Sequence, residues 1–265
     1  MTVPTVEPLA PVVVGVDRSS SGAGVAHGAS EALRSGRPLE LVHVAPAGDG
    51  WLATVGKDAL RLAVARAETY VAGHVPVRGT LLRGDVVAEL SGVAGSAALL
   101  VLEQVPPRQQ RRRGRAVTVA LAARVDVPVV VVPAGWIGRH SSIVSVGFAA
   151  AAPDDTALRD AVARARLTHA TLRVVVAGAR GDVDERLALA GADGCDVAVE
   201  YSDAEPGAAL RVAGLSSDLV VVGRHRPSAS WPSRLGAAGR ALLEDPVCPV
   251  LLTPPGHVHD RFGAA

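Results

Sequence analysis

The pattern that most constrains the fold is a series of short apolar runs separated by amphipathic segments, and the whole series occurs twice. Residues 218–223 read Asp-Leu-Val-Val-Val-Gly, and a helical segment then leads to Val-Cys-Pro-Val-Leu-Leu. Earlier, residues 98–103 read Ala-Leu-Leu-Val-Leu-Glu and lead in the same way to Val-Pro-Val-Val-Val-Val at 127–132. Continuous apolar runs of this length are typical of strands buried on both faces. A repeat near half of the 265 residues favours two domains.

Each repeat predicts five strands that alternate with helices. The helical segments carry apolar residues at helical spacing, as at Leu60, Val64, Ala67 and Val71. Strands are predicted at 12–16, 39–44, 77–82, 99–102 and 129–132, and again at 142–146, 172–176, 197–201, 219–222 and 250–252. This alternation predicts an α/β fold of two tandem doubly wound, Rossmann-like domains, each a five-stranded parallel sheet flanked by helices. We place the first domain at residues 11–134 and the second at 140–254.

Composition excludes several classes of partner. The net charge is +1, so no overall field attracts nucleic acid or a membrane surface. No apolar run approaches the roughly 20 residues that a membrane span needs, and the first residues lack the pattern of a signal peptide. Cys195 and Cys248 lie in different segments, which fits a reducing compartment better than a disulfide scaffold. We expect a soluble cytoplasmic protein.

Two glycines in the second repeat suggest phosphate binding. Gly223 ends an apolar run, and Gly236 follows thirteen positions later at the start of a helical segment. Glycines let backbone N–H groups approach an anion, and a helix N-terminus adds a favourable dipole. In the first repeat the position of Gly223 is taken by Glu103. The two copies have therefore diverged in their binding chemistry.

The chain resembles the universal stress protein family in its tandem form, over nearly all of residues 11–254. The resemblance rests on Val-Gly-Val-Asp-Arg-Ser at 14–19, Leu-Val-His-Val at 41–44, Asp-Leu-Val-Val-Val-Gly at 218–223 and Cys-Pro-Val at 248–250. It implies a five-stranded parallel sheet in each domain, of the adenine nucleotide alpha hydrolase-like type. The family's ATP-binding members use an Asp after strand one, a valine ending strand two and a G-x2-G-x9-G-(S/T) loop.

By this resemblance the first domain keeps only the adenosine side of a site. Gly15, Val16, Asp17 and Val44 are the candidate binding residues there. The three loop glycines are replaced by Glu103, Pro106 and Arg115. A carboxylate repels phosphate, and without glycines the backbone cannot approach it closely.

The second domain keeps more of the phosphate side. Gly223 and Gly236 match the family's first and third glycines, and Ala237 stands where a hydroxyl usually helps. On the adenosine side we assign Val176 to the valine position and Gly147 to the position of Asp17, so the carboxylate is lost.

Three arginines offer a replacement for the lost backbone donors. Arg226 stands at the middle glycine position, between Arg224 and Arg234. We expect these three guanidinium groups to bind phosphate, with ATP or AMP as the candidate ligand. The second site is therefore expected to be weakened, and the first degraded.

Other polar residues have competing interpretations. Asp17 is either the adenosine anchor or a local partner of backbone N–H groups. The arginines of 111–115 are interpreted as a solvated loop rather than a nucleic-acid patch, and His225 as a surface histidine. Trp231 either covers the second cleft or packs between domains.

We expect a non-catalytic binding or regulatory module in stress adaptation, the physiological part being implied by the resemblance. The sequence shows no nucleophile–histidine–acid motif, no metal cluster and no Walker-type lysine. Two alternatives stay open, a slowly ATP-hydrolysing stress protein and a purely structural interaction module with vestigial clefts. The family commonly pairs fifth strands, so we expect 129–132 and 250–252 to pair within the chain, an arrangement compatible with further homodimerisation.

Overall fold

The computed structural model describes residues 9–20, 22–48, 50–104, 113–150, 155–178, 181–225 and 234–257. Of residues 113–115 it describes the backbone alone. The expectations for Pro106, Arg111, Arg112, Arg226 and Trp231 concern residues outside these ranges.

Strands and helices alternate along the described chain. The strands are β1 (Val12–Gly15), β2 (Leu39–Ala45), β3 (Val77–Arg83), β4 (Leu99–Gln104), β5 (Val129–Pro133), β6 (Ile143–Phe148), β7 (Thr171–Ala177), β8 (Val197–Ser202), β9 (Leu219–Gly223) and β10 (Val250–Thr253). The helices are α1 (Ala23–Ser35), α2 (Gly50–Val71), α3 (Val86–Ala94), α4 (Arg113–Arg124), α5 (Thr156–Thr168), α6 (Val183–Leu189), α7 (Pro206–Gly214) and α8 (Ala237–Glu244).

Residues that suit a helix N-terminus, two aspartates and a proline, begin three of these helices. Asp85 accepts a hydrogen bond from the backbone N–H of Ala88 at 2.9 Å and so caps α3. Asp182 does the same for α6 through the N–H of Glu185 at 3.1 Å. Pro206 occupies the first turn of α7, where its missing N–H costs nothing.

All ten strands form one sheet, in the order β3-β2-β1-β4-β5-β10-β9-β6-β7-β8. Neighbouring strands run parallel within each half, and β5 and β10 pair antiparallel, with Val131 opposite Val250 and Val129 opposite Leu252. The predicted α/β class is confirmed. The antiparallel pair of β5 and β10 joins the two five-stranded halves into one continuous layer.

Apolar side chains cover both faces of the sheet. One buried cluster lies under α1, α2, α5 and α6, and a second lies under α3, α4, α7 and α8. Both clusters contain residues of both halves, so hydrophobic burial also links the halves. No helix in the described ranges is long and apolar enough to cross a membrane.

Candidate functional site

Each half has a crevice at the point where its strand order reverses. In the first half β1 lies between β2 and β4, and in the second half β6 lies between β7 and β9. Ligands of doubly wound sheets bind at such points, outside the carboxyl ends of the strands. We call the space beyond β1 and β4 the first cleft, and the space beyond β6 and β9 the second cleft.

Strand registers show which residues of the two halves are equivalent. Residues 98–103 match residues 218–223 in the sequence repeat, so Val101 is equivalent to Val221. Val14 pairs with Val101 and Leu41, and Val146 pairs with Val221 and Val174, so Val14 is equivalent to Val146. Counting onwards from these pairs, Gly147 is equivalent to Gly15.

Packing supports this equivalence. A Cβ atom on Gly15 would lie 3.6 Å from a methyl group of Leu90 in α3, and one on Gly147 would lie 2.9 Å from a methyl group of Leu210 in α7. A leucine of the same half's third helix thus lies beside each glycine, although the tightest contact at Gly15 would be a methyl group of Leu102 in β4, at 2.9 Å. The two leucines occupy the same place in their helices.

Two residue assignments made from the sequence are corrected by this register. The counterpart of Asp17 is Ala149, not Gly147, and the counterpart of Val44 is Ala177, not Val176. Val176 instead matches His43. The second cleft still lacks a carboxylate at the Asp17 position.

The first cleft keeps its predicted residues together at the end of β1. Val16 and Val44 are buried, and the Nδ1–H of His43 donates to the carbonyl oxygen of Val16 at 2.7 Å. Asp17 is exposed, and its carboxylate accepts a hydrogen bond from the Ser19 hydroxyl at 2.6 Å. The structure therefore gives Asp17 a local hydroxyl partner, two residues beyond the end of β1.

Glu103 binds the N-terminus of α1 in the first cleft. Its Oε2 atom accepts hydrogen bonds from the backbone N–H of Gly24 at 2.9 Å and of Gly22 at 3.2 Å. Gly22 is the N-cap residue of α1, and it has a left-handed backbone with φ of 96°. A carboxylate from β4 thus serves as the side-chain cap of α1. These N–H groups and the helix dipole would otherwise attract an external anion.

The second cleft has Gly223 at the position of Glu103. Gly223 is exposed, and a Cβ atom there would lie 3.6 Å from the Cβ of Ala157 in α5, an ordinary contact distance. Ala157 is the counterpart of Gly24, because α1 and α5 both have 13 residues. The N-terminus of α5 therefore receives no carboxylate from the end of β9.

Gly236 and Ala237 lie at the start of α8, as predicted. Gly236 is the N-cap residue, and as a glycine it supplies no side-chain cap of its own to this helix. The imidazole of His225 lies against Gly236, since a Cβ atom there would be 2.6 Å from Nε2. Sequence reasoning treated His225 as a surface histidine, but the structure places it beside the candidate phosphate position.

Arg224 does not point into the second cleft. Its guanidinium donates hydrogen bonds to the carbonyl oxygens of Ala122 at 2.7 Å, Val125 at 2.6 Å and Val127 at 2.6 Å. The side chain is only 4% exposed, and this burial lowers its pKa from 12.5 to about 10. The expectation that Arg224 binds phosphate is corrected, because its donors satisfy the C-terminal end of α4 in the other half.

Gln104 makes the matching contact from the first half. It follows Glu103 as Arg224 follows Gly223, and its Nε2 donates to the carbonyl oxygen of Leu243 in α8 at 2.5 Å. Each half thus caps the last helix of the other half. No local sequence signal identifies this pair, because donor and acceptor lie about a hundred residues apart or more.

Arg234 also contacts the first half. Its guanidinium forms an ion pair with Asp126, in the turn between α4 and β5. This pair is partly exposed and competes with any role in phosphate binding. Arg226, the third arginine of that hypothesis, lies outside the described residues.

Two fused halves, each with a cleft at its strand reversal, define a duplicated doubly wound α/β protein. Among solved structures, this fold is that of universal stress proteins. The chain is similar to a universal stress protein from Archaeoglobus fulgidus DSM 4304, with TM-score 0.72 and 16% identity over 92% of this chain and 98% of that one.

Two structures from Pseudomonas aeruginosa are also similar. One is a putative universal stress protein of strain UCBPP-PA14, with TM-score 0.59 and 16% identity over 92% of this chain and 91% of that one. The other is a functionally unknown protein of strain PAO1, with TM-score 0.61 and 15% identity over 93% of both chains. No family model matches the sequence, and no curated protein matches it. At these identities the likeness establishes the fold.

Proposed function

We propose that this protein is a tandem universal stress protein that acts as a non-catalytic, cytoplasmic binding module in stress adaptation. Its nucleotide binding is confined to the second cleft, with AMP or ATP as the ligand. The single observation that carries this proposal is the exchange of Glu103 for Gly223 at equivalent positions. In the first cleft the Glu103 carboxylate binds the N-terminus of α1. In the second cleft the equivalent residue is Gly223, which places no carboxylate beside α5.

Among the described residues, the groups that remain to bind an anion in the second cleft are backbone N–H groups and the imidazole of His225 beside Gly236. Gly223 allows close approach of an anion, and Gly236 and Ala237 present the N-terminus of α8. Arg224 and Arg234 serve the joint between the halves, so affinity rests on glycine and the helix dipole. The absence of a carboxylate at Ala149 removes a ribose anchor, which favours weak binding.

Titration calorimetry with AMP and with ATP tests the proposal. The wild-type chain is expected to bind at millimolar ligand, and Gly223→Glu is expected to abolish binding by placing a carboxylate on α5 as Glu103 does on α1. The substitution introduces no close contact at Cβ, so the fold is expected to persist. Gly92→Glu adds the same charge in open space near the end of α3 and serves as the matched control.

Different results of these experiments contradict different parts of the proposal. Wild-type protein that gives no heat, or Gly223→Glu that binds as wild type does, contradicts the proposal. Phosphate release from ATP above background that is lost in Gly223→Glu contradicts the non-catalytic part alone.

A further inference from the structure

The two halves differ in the length of the segment between their second and third strands. In the first half 31 residues, 46–76, separate β2 from β3, and 22 residues of the helix α2 begin at Gly50. In the second half 19 residues, 178–196, separate β7 from β8, and α6 has only seven residues. The missing part corresponds to about three helical turns. The second half therefore lacks most of the helix that covers this end of the sheet in the first half.

In the first half α2 lies along the edge strand β3. A Cβ atom on Gly79 of β3 would be 2.7 Å from a methyl group of Val64 and 3.5 Å from Leu60, both in α2. On the same face of β3, Val77 and Leu81 are half-buried and pack against the apolar cluster under α2. An amphipathic helix thus covers this face of the edge strand.

The equivalent face of β8 has no such cover. Leu41 pairs with Gly79, and its counterpart Val174 pairs with Val199, so Val199 takes the position of Gly79. Val197 and Tyr201 lie on the same face as Val199, two residues to either side. Tyr201 is 53% exposed, and α6 does not extend along β8 as α2 extends along β3. We call the side chains of Val197, Val199 and Tyr201 the β8 face.

Acidic residues are concentrated around the β8 face. Residues 182–205, from the N-cap of α6 to the N-cap of α7, carry eight carboxylates and one arginine, a net charge of −7. The corresponding residues 49–85, which end at the N-cap of α3, carry four acidic and five basic residues. In the second half Glu200 is paired with Arg173. Among the described residues, no ion pair is formed by four exposed acids, Asp184, Glu185, Asp203 and Glu205.

Topology places these four acids at the same edge of the sheet. α6 begins after the carboxyl end of β7, and α7 begins after the carboxyl end of β8. Because β7 and β8 are parallel, both ends lie at one edge, and Tyr201 is the second-last residue of β8. The exposed ring of Tyr201 and the unpaired carboxylates therefore belong to one surface.

These features select the chemistry of a partner. The first half shows that this place on the sheet accommodates a helix that lies along the edge strand. The β8 face favours a helix with an apolar stripe. The acidic residues favour lysine and arginine on that helix and oppose an acidic one. A helix that runs in the direction of α2 also has its N-terminus near these carboxylates, where they interact favourably with its dipole.

We propose that the β8 face is a docking surface for a basic amphipathic helix of a partner protein, which lies where α2 lies in the first half. The apolar stripe of the helix packs on Val199 and Tyr201, and its basic side chains face Glu185 and Asp203. Recognition of an amphipathic helix by an apolar surface is a common mode of protein association. The surface contains none of the residues that we assign to the two clefts, so it is independent of nucleotide binding.

Fluorescence anisotropy of labelled synthetic peptides with the full chain tests the proposal. The probe is a helix of about 18 residues of leucine and lysine, with the leucines at helical spacing on one face. The probe is expected to bind. A peptide of the same composition without a helical stripe, and an amphipathic peptide with glutamate in place of lysine, are each expected to bind about tenfold or more weakly.

Variants of exposed residues locate the binding surface. Tyr201→Ser is expected to weaken binding of the probe about tenfold, as loss of an aromatic contact at an interface predicts. The matched control is Tyr70→Ser, at a tyrosine of α2 that is 50% exposed. Glu185→Gln is expected to weaken binding about threefold and to reduce its dependence on salt. Glu68→Gln, at an exposed position of α2, is the control for this change of charge.

Several results would overturn the proposal. They are no binding of the probe by wild-type protein at high micromolar concentration, equal binding of either control peptide, and unchanged binding in Tyr201→Ser. Sedimentation of wild type and Tyr201→Ser tests another occupant, because self-association that is lost in Tyr201→Ser would assign the β8 face to a second copy of the chain. Gly223→Glu is expected to leave binding of the probe unchanged, so a failure of nucleotide binding is distinguishable from a failure of this proposal.

Discussion

Glu103 decides the difference between the two clefts at the scale of a single residue. Its carboxylate satisfies two backbone N–H groups at the start of α1 and interacts favourably with the helix dipole. The same atoms exclude a phosphate group from that position, by occupancy and by repulsion. Under the proposed function, this internal cap takes the place that a phosphate group would occupy.

Removing this cap is expected to destabilise the protein. Glu103→Ala leaves the N–H groups of Gly22 and Gly24 without the carboxylate, and a lost N-terminal cap costs about 1 kcal/mol. Glu103→Gln keeps an acceptor oxygen and is expected to cost less than Glu103→Ala. Urea unfolding measures both, with the exposed Asp58→Ala as the control. Equal stability of Glu103→Ala and wild type would show that the contact contributes nothing.

A largely buried histidine on α1, with a side chain 14% exposed, makes stability depend on pH. Burial lowers the pKa of His27 from 6.5 to about 4, although Glu31 acts in the opposite direction. Burial opposes ionisation of Glu31, but Arg164 and Arg34 lower its pKa from 4.5 to about 2. Between pH 6.5 and 4.5 the change therefore belongs to His27. The unfolded chain binds a proton there and the folded chain does not.

The free energy of unfolding is thus expected to fall as pH decreases from 6.5 towards 4, with a slope approaching about 1.4 kcal/mol per pH unit. Denaturant unfolding across this range measures the slope. His27→Gln is expected to flatten it, whereas the exposed His74→Gln is not. A slope unchanged by His27→Gln would contradict the assignment.

Helix ends connect the halves at the scale of secondary-structure elements. Arg224, which follows Gly223, caps the end of α4. Gln104, which follows Glu103, caps the end of α8. Each side chain therefore reaches from its own half to the last helix of the other half. The joint between the halves therefore uses two side chains at equivalent positions, one at the end of β4 and one directly after β9. In the second half, Arg224 directly follows Gly223 in the sequence, but its side chain points to the carbonyl groups of the other half.

Arg224→Met is expected to destabilise the protein by about 3 kcal/mol, because it leaves buried carbonyl oxygens at the end of α4 without donors. Thermal and denaturant unfolding measure the loss. Arg211→Met removes an exposed ion pair with Asp245 and is expected to cost less than about 1 kcal/mol. A similar cost for the two variants would contradict the interfacial role of Arg224.

The elements themselves follow closely from local sequence, whereas several contacts do not. The apolar runs at 12–16 and 219–222 predicted β1 and β9 to within one residue, because strands buried on both faces have continuous apolar sequence. The assignments of Gly147 to the Asp17 position and of Val176 to the Val44 position were wrong, because counting residues along a motif gives no information on strand register. The orientation of Arg224 depends on carbonyl groups about a hundred residues away, which no local pattern encodes.

At the scale of the whole molecule, the sheet is continuous through β5 and β10. These strands lie at its centre, and β3 and β8 form its two edges. An internal pair of this kind covers two apolar edges that would otherwise favour association. Homodimerisation of the chain would then have to use other surfaces, which this sheet leaves available.

Hydrogen exchange tests the continuity of the sheet. Amides of β5 and β10 are expected to exchange as slowly as those of β1 and β4, because opening them requires separation of the halves. Amides of β3 and β8 are expected to exchange faster. Fast exchange in β5 and β10, comparable with that of the edge strands, would mean that the halves separate readily in solution.

The central claim is that only one of the two equivalent clefts accepts an anionic ligand, and an NMR titration of the isotope-labelled full chain with AMP tests it most directly. The account predicts shifts of the backbone amide signals of Gly223, Gly236 and Ala237, with those of Gly15, Gly22 and Gly24 unchanged. Shifts confined to the first set would locate the ligand beside the glycine that replaces Glu103. Shifts at Gly22 and Gly24 would contradict the claim, because they would place the ligand where the Glu103 carboxylate already binds the start of α1.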